Sequence, residues 1–450
     1  MPHRMHIFNA HQADAVLGYV RDRLEMAEAP LDFPGADEHL NAALDGLISD
    51  AGTDVDEVMR RYDEVISRTV ISADSPRFFS FIPAAPSKAA LLFDTIVSCA
   101  SLQGISWLEA SGAIAAENQV LRWIADLAQL PAGAGGVFVQ GGSAANLSAL
   151  AVARDEGRRK LGDPHARVRI AVSSETHSSA RNALHLLDVA PFEVPSVDHR
   201  FTGAALEAAL AADANPETVV GVATTAGTTN AGIVDDLSGI AEVCRNRSMW
   251  FHVDGAYGGA GLLAESVRWR YAGIEHADSF LVDPHKWLFA PFDSCALIYR
   301  DPERARRVHT QDASYLDVIH AEHEWNPSDY AHQLTRRARG LPLWFSLCVN
   351  GIAAYRAAVE AGISMASQVA TIIRESDNLE LIREPELSVV LWRRIGWQAR
   401  DYSALQERLL AQQLAFVTPT SWEGEVVGRF AFIHPNTTID MVMDVLKECV

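Results

Sequence analysis

Two short segments of this chain carry side chains of complementary chemistry. Trp250-Phe251-His252-Val253-Asp254-Gly255-Ala256-Tyr257 sets a carboxylate at the end of an apolar strand, and Asp283-Pro284-His285-Lys286-Trp287 sets an amine just past the end of another. Residues 252 and 254 of the first strand project to the same face. A buried carboxylate is costly unless it is paired. A lysine followed by Leu288-Phe289 is desolvated, which lowers its pKa and leaves a neutral, nucleophilic amine. Singly, Asp254 reads as a helix N-cap and Lys286 as a surface lysine. Delivered to one pocket by neighbouring strands, they match what pyridoxal phosphate (PLP) requires: a lysine for the Schiff base and an acid for the pyridinium nitrogen.

Other polar residues also fall at strand ends, where open α/β sheets bind ligands. The strand Gly136-Val137-Phe138-Val139 runs into Gln140-Gly141-Gly142-Ser143-Ala144-Ala145-Asn146 and then a helix. Glycines there let backbone N–H groups approach an anion, the helix N-terminus adds its dipole, and Ser143 adds a donor. Alone, this run is a tight turn. His177, just past another strand, suits stacking on a cofactor ring or plain capping. The hydroxyls of Thr224-Thr225-Ala226-Gly227-Thr228-Thr229-Asn230 suit ring substituents or a polar turn.

These residues need a scaffold of alternating elements. Residues 1–75 read as amphipathic helices with no strand pattern, a leader that packs poorly alone. Residues 76–340 alternate helical stretches (145–160, 178–187, 235–247) with apolar strands near 136–139, 168–172, 218–223, 249–253 and 279–282. Strands this apolar imply a mostly parallel sheet covered on both faces. Residues 341–450 run helix, strand, helix, strand, a smaller α+β unit. A formal net charge of −20 argues against nucleic-acid and anionic-membrane partners, which reward clustered Lys and Arg. Five scattered cysteines without a CxxC pair suggest reduced thiols in a cytoplasmic protein, without a disulfide framework or zinc site. The N-terminus lacks a signal-peptide pattern, and no apolar run is long enough to span a membrane.

Taken together, the segments from Ser75-Pro76-Arg77-Phe78-Phe79 to Arg429-Phe430-Ala431 closely resemble the group II PLP-dependent amino acid decarboxylases, the family of aromatic L-amino acid decarboxylase and glutamate decarboxylase. The spaced HVDxAY and PHKW blocks are specific to it. The resemblance implies a PLP-dependent transferase of fold type I and a homodimer with interfacial active sites. It also implies roles. Lys286 forms the Schiff base, Asp254 pairs with the ring nitrogen, His177 stacks on the ring, and Ala256 packs on its other face. Gly142, Ser143 and Ala144 hold the phosphate, with His285 beside it, and Thr229 assists near the ring. Tyr315 falls where the family carries a mobile-loop tyrosine that protonates the carbanion after CO2 loss. Relatives that make aldehydes oxidatively often replace that tyrosine by phenylalanine or the stacking histidine by asparagine. This chain keeps both, which favours simple decarboxylation of an L-amino acid to its amine.

Two departures stand out. Many members have Asn where this chain has Asp283, close to the phosphate, and a carboxylate there repels phosphate unless paired or turned away. The segments around Phe81, Ile82, Ile105 and Trp107 are less aromatic than in enzymes for bulky aromatic substrates, yet they would still build an apolar pocket. Phe78, Phe79, Phe81 and Trp107 favour an aromatic or large apolar side chain on the substrate, although several read equally as core. Arg429 sits where the glutamate-specific branch uses an arginine, which keeps an acidic substrate in play. Rival readings are oxidative aldehyde formation or transamination on the same cofactor, a metal-dependent hydrolase using His177, His252 and His285, and a non-catalytic protein of this fold. Nothing resembles HExxH, and the intact Lys286 and Asp254 speak against the last.

Overall fold

The computed structural model describes residues 2–311 and 324–449. Seven strands, β1 (Gly135–Val139), β2 (Arg169–Ser173), β3 (Ala190–Val194), β4 (Val219–Thr225), β5 (Trp250–Asp254), β6 (Ser279–Val282) and β7 (Cys295–Tyr299), form one sheet in the order β1-β7-β6-β5-β4-β2-β3. β7 is antiparallel to both of its neighbours, and the others run parallel. The central strands β4, β5 and β6 are buried along their whole length, as an apolar sheet covered on both faces requires. A second, antiparallel sheet of β8 (Leu379–Leu381), β9 (Val389–Arg394), β10 (Thr420–Trp422) and β11 (Glu425–Ala431) has the order β10-β11-β9-β8.

The apolar pattern omits β3, β7, β8 and β10. β3 is an edge strand with Pro191 and three exposed positions, so its apolar signal is weak. β8 and β10 are three residues each, too short to show a period. The first helix expected in residues 341–450 is two helices, Leu341–Asn350 and Ile352–Arg374, broken at Gly351 with φ +77°.

The helix Gly142–Leu161 positions the site. It lies across β4 to β7 and approaches β4 closely because Gly157 has no side chain: a Cβ there would stand 2.4 Å from Val220 Cβ. Its N-cap, Gly141, makes no side-chain capping bond, so first-turn N–H groups are left for another acceptor. Helices Ala10–Glu25, Asp37–Leu44 and Val55–Arg61 bury none of their residues within this chain. Among the described residues no helix is long and apolar enough to cross a membrane.

A buried ion pair ties the first helix of the sheet layer to the segment before Leu341. Arg336 Nη2 donates to both Glu117 oxygens at 2.8 Å, and Arg336 also donates to the Gly104 and Phe138 carbonyls. Glu117 accepts from Gly340 N–H as well. Neither side chain reaches solvent appreciably.

Candidate active site

At the carboxyl edge of the parallel strands lies a cavity of about 230 Å³. Gly141, Gly142 and Ser143 follow β1, and His177 and Ser179 follow β2. Thr225, Gly227 and Thr229 end or follow β4, Asp254, Ala256 and Tyr257 end or follow β5, and Asp283, His285 and Lys286 follow β6. The loops after β4 and β5 meet tightly: Gly227 has φ +105°, and a Cβ on it would stand 2.8 Å from Gly258 Cα. Larger clefts, of about 610, 560, 520 and 350 Å³, hold neither Lys286 nor Asp254.

Asp254 is buried. Its Oδ1 accepts from Ala256 N–H at 3.0 Å and its Oδ2 from Asn146 Nδ2 at 2.8 Å. Lys286 Nζ lies 3.0 Å from Asp283 Oδ2. Burial, the largest single influence, pushes the Lys286 ammonium down. The charges of Asp283 and Asp254 and the hydrogen bond to Asp283 together outweigh it, so the pKa lies above that of an ordinary lysine. This corrects the expectation of a lowered pKa, which considered desolvation without the buried carboxylate three residues upstream.

His285 Nδ1 contacts both the carbonyl oxygen and the N–H of Ser294, at 2.7 and 3.1 Å, and burial pulls its pKa down. His252 is fully buried among Ser279 and Asn146 and does not line the cavity. Among the described residues no cluster of His, Cys, Asp or Glu is arranged to hold a metal ion.

Several expected residues lie elsewhere. Ala144 is in the first turn of the helix but outside the lining. Ile105 is buried, Ile82 packs on the main core, Trp107 is half-buried, and Phe81 is 60% exposed with φ +51°; none lines the cavity. Arg429 is buried and committed: Nη2 donates to Thr229 O at 2.6 Å and Nε to Asn230 O at 3.1 Å. It clamps the Thr229 loop and is not among the residues that line the cavity. Burial pulls its pKa to about 10. Tyr315 lies outside the described residues. The reading of the residues missed Asn146, Ser179 and Tyr257 as parts of the site. Asn146 stands one turn into the helix after the glycines, a position that the glycine run itself could have flagged.

The residues fit PLP on their own chemistry. An uncapped helix terminus with two glycines suits the phosphate, a buried carboxylate suits a ring nitrogen, and a lysine closes the opposite side. Residues 37–395 match the family model described as the pyridoxal-dependent decarboxylase conserved domain, and the chain belongs to that family of PLP-dependent amino acid decarboxylases. It is 29% identical to the aromatic-L-amino-acid decarboxylase of Bacillus atrophaeus over 89% of this chain and 86% of that protein. It is 27% identical to the phenylacetaldehyde synthase of Petunia hybrida, over 83% and 80% of the two chains. The crystal structure of Oryza sativa TDC with PLP and tryptamine superposes with a TM-score of 0.90 at 26% identity, covering 98% of this chain and 97% of that one.

Asp283 gives this site an unusual charge. Its Oδ1 is buried without a hydrogen-bond partner, and its Oδ2 would stand 3.3 Å from a Cβ on Gly142, beside the glycine turn that opens the helix. Asp283→Asn is expected to tighten PLP binding roughly ten-fold at neutral pH, since removing one like charge from a phosphate site is worth at least about 1.4 kcal/mol. Equilibrium dialysis of the apo proteins checks this; unchanged or weaker binding would show that Asp283 is turned away from the phosphate.

Proposed function

We propose that the chain decarboxylates an L-amino acid with an aromatic or large apolar side chain and returns the amine. The observation that carries this reading is the convergence of Lys286, Asp254 and His177 on one cavity. The aromatic-L-amino-acid decarboxylase relative supports the substrate class. Arg429, engaged with two backbone carbonyls, lends no support to an acidic substrate.

PLP, when bound, supplies an aldehyde for an amine and a protonated ring that takes up the electron pair left by the departing carboxylate. Lys286 would hold the cofactor through Nζ. Its ammonium, held by Asp283 at 3.0 Å, would have to lose a proton before it could bond to the cofactor. Asp254, fixed by Ala256 N–H and Asn146, keeps the ring nitrogen protonated. The first-turn N–H groups of Gly142, Ser143 and Ala144 bind the phosphate, with His285 beside it and Thr229 near the ring. His177 would stack on the ring and Ala256 would pack against its other side, and together they would orient the substrate, so that orientation would carry much of the rate. Tyr315 returns a proton to Cα.

The functional unit is a homodimer with interfacial sites, Tyr315 coming from the neighbouring copy. The exposed Leu92, Ile96, Leu108 and Val349, on three helices that pack together, support this, as does Phe81. Sedimentation equilibrium tests it; a monomer with full activity would overturn it.

The PLP-loaded protein should be incubated singly with the twenty common L-amino acids and the products weighed by mass spectrometry. An amine lighter by CO2 from an aromatic or large apolar substrate is expected. An aldehyde would favour the second reading, oxidative aldehyde formation, which the Petunia relative suggests. Tyr315→Phe, assayed in air with dissolved O2 as the two-electron oxidant reduced to hydrogen peroxide, is expected to move product from amine toward aldehyde and ammonia, by at least about ten-fold in their ratio if the phenol is the general acid. Unchanged amine output would remove Tyr315 from that role.

A further inference from the structure

A chain of buried hydrogen bonds runs beneath the cavity, and its direction can be fixed atom by atom. Asn146 is fully buried. One side of its amide faces Asp254 Oδ2 at 2.8 Å and Ser179 Oγ at 3.0 Å, and the other faces His252 Nε2 at 2.8 Å. A carboxylate only accepts, so the NH2 group must point to Asp254 and Ser179, and the amide oxygen to His252. His252 Nε2 therefore carries a hydrogen. Burial pulls the His252 pKa down, so the ring is neutral and its Nδ1 is bare. Ser279 Oγ, 2.8 Å from that Nδ1, must donate to it. The opposite end agrees: the Trp250 indole N–H, which can only donate, reaches the same Ser279 oxygen at 2.9 Å.

The other branch ends on His177. Ser179 Oγ accepts from Asn146 and so has its hydrogen free for His177 Nδ1, 2.8 Å away. Ser179 N–H donates to the same Nδ1 at 3.2 Å. Two donors converge on one ring nitrogen, which must be an acceptor. The His177 hydrogen is thereby left on Nε2, and the ring offers a donor to the cavity it lines. One amide thus serves the groups expected on two sides of the cofactor.

We propose that Asn146, set in direction by His252 and Ser279, is a positioning residue that fixes the His177 hydrogen on Nε2 and holds the Asp254 carboxylate in place. The donor offered by Nε2 suits an anionic group such as a substrate carboxylate. This rests on the reading of the cavity as the amino acid site, but the test below does not require turnover.

The test is a long-range ¹H–¹⁵N spectrum of ¹⁵N-histidine-labelled, PLP-loaded protein without substrate, with His177→Gln used to assign the resonances. Wild type should show His177 with its hydrogen on Nε2. Ser179→Ala removes the shorter, hydroxyl donor, leaves only the 3.2 Å backbone N–H on Nδ1, and is expected to shift His177 partly toward the other tautomer with a smaller change in the visible absorbance of the cofactor than Asn146→Ala brings. Asn146→Ala is expected to alter both, and to lower kcat roughly ten- to hundred-fold with KM little changed, the size of effect that misorientation brings. Ser179→Ala carries the test should Asn146→Ala fold poorly. A His177 spectrum unmoved by Ser179→Ala, or a wild-type hydrogen on Nδ1, would overturn the proposal. A spectrum as expected in a protein that makes no amine would instead count against the proposed substrate and leave the network standing.

Discussion

Lys286→Ala is expected to lower decarboxylation by more than about 10⁴-fold, because it removes the covalent tether and a proton-transfer group together. Lys286 is the lysine of the cavity, on the short helix Pro284–Trp287. The cavity itself should survive the change. The Lys286 side chain is 23% exposed and its Nζ pairs with Asp283, so truncation removes a contact at the cavity wall and none from the core. The variant should still fold and still bind PLP, but without covalent attachment. Borohydride reduction and peptide mapping separate the possibilities. Wild type should carry the cofactor on the peptide containing Lys286, and the variant should carry none. Labelling at another lysine, or turnover within ten-fold of wild type, would remove Lys286 from its place in the reaction.

Glu117→Ala is expected to destabilise the protein by about 3–5 kcal/mol, the penalty for leaving one partner of a buried ion pair uncompensated. Arg336 would keep its bonds to the Gly104 and Phe138 carbonyls but lose its only carboxylate among the described residues, and Gly340 N–H would lose its acceptor. The damage should reach function indirectly, since Phe138 lies in β1, directly before the glycine cradle, and Gly104 adjoins Ile105. Chemical denaturation midpoints of Glu117→Ala and of the double variant Glu117→Ala, Arg336→Met make the test. The double variant should recover much of the loss, because it no longer buries an unpaired charge. Equal loss in both would mean that lost packing, and not charge, sets the cost.

The contrast between these two pairs shows what can be read from sequence. Asp254 and Lys286 were legible because each ends an apolar strand, and parallel strands deliver such ends to one edge of a sheet. The glycine run and His177 followed by the same rule, and the family blocks named the cofactor. Glu117 and Arg336 are more than two hundred positions apart on elements whose own patterns say nothing about a partner. β3 escaped because an edge strand need not be continuously apolar, whereas β7 is inserted antiparallel between β6, which precedes it in the chain, and the distant β1, a placement that no local pattern encodes.

The amino-acid sequence by itself determined the fold class, the cofactor chemistry and the residues that meet at the strand ends, since these depend on local period and on residue type. Only the tertiary structure decided the charge state and the hydrogen-bond direction of the site. Burial alone predicts a lysine pKa below normal, but Asp283 and Asp254 reverse it through distances that no spacing encodes. Arg429 was in the right stretch of sequence for a substrate ligand, yet its guanidinium is held by the Thr229 and Asn230 carbonyls. Asn146 had no evident partner in the sequence. Packing its helix against β5 places one amide between His252 and Asp254, and there its orientation follows from the fact that a carboxylate cannot donate.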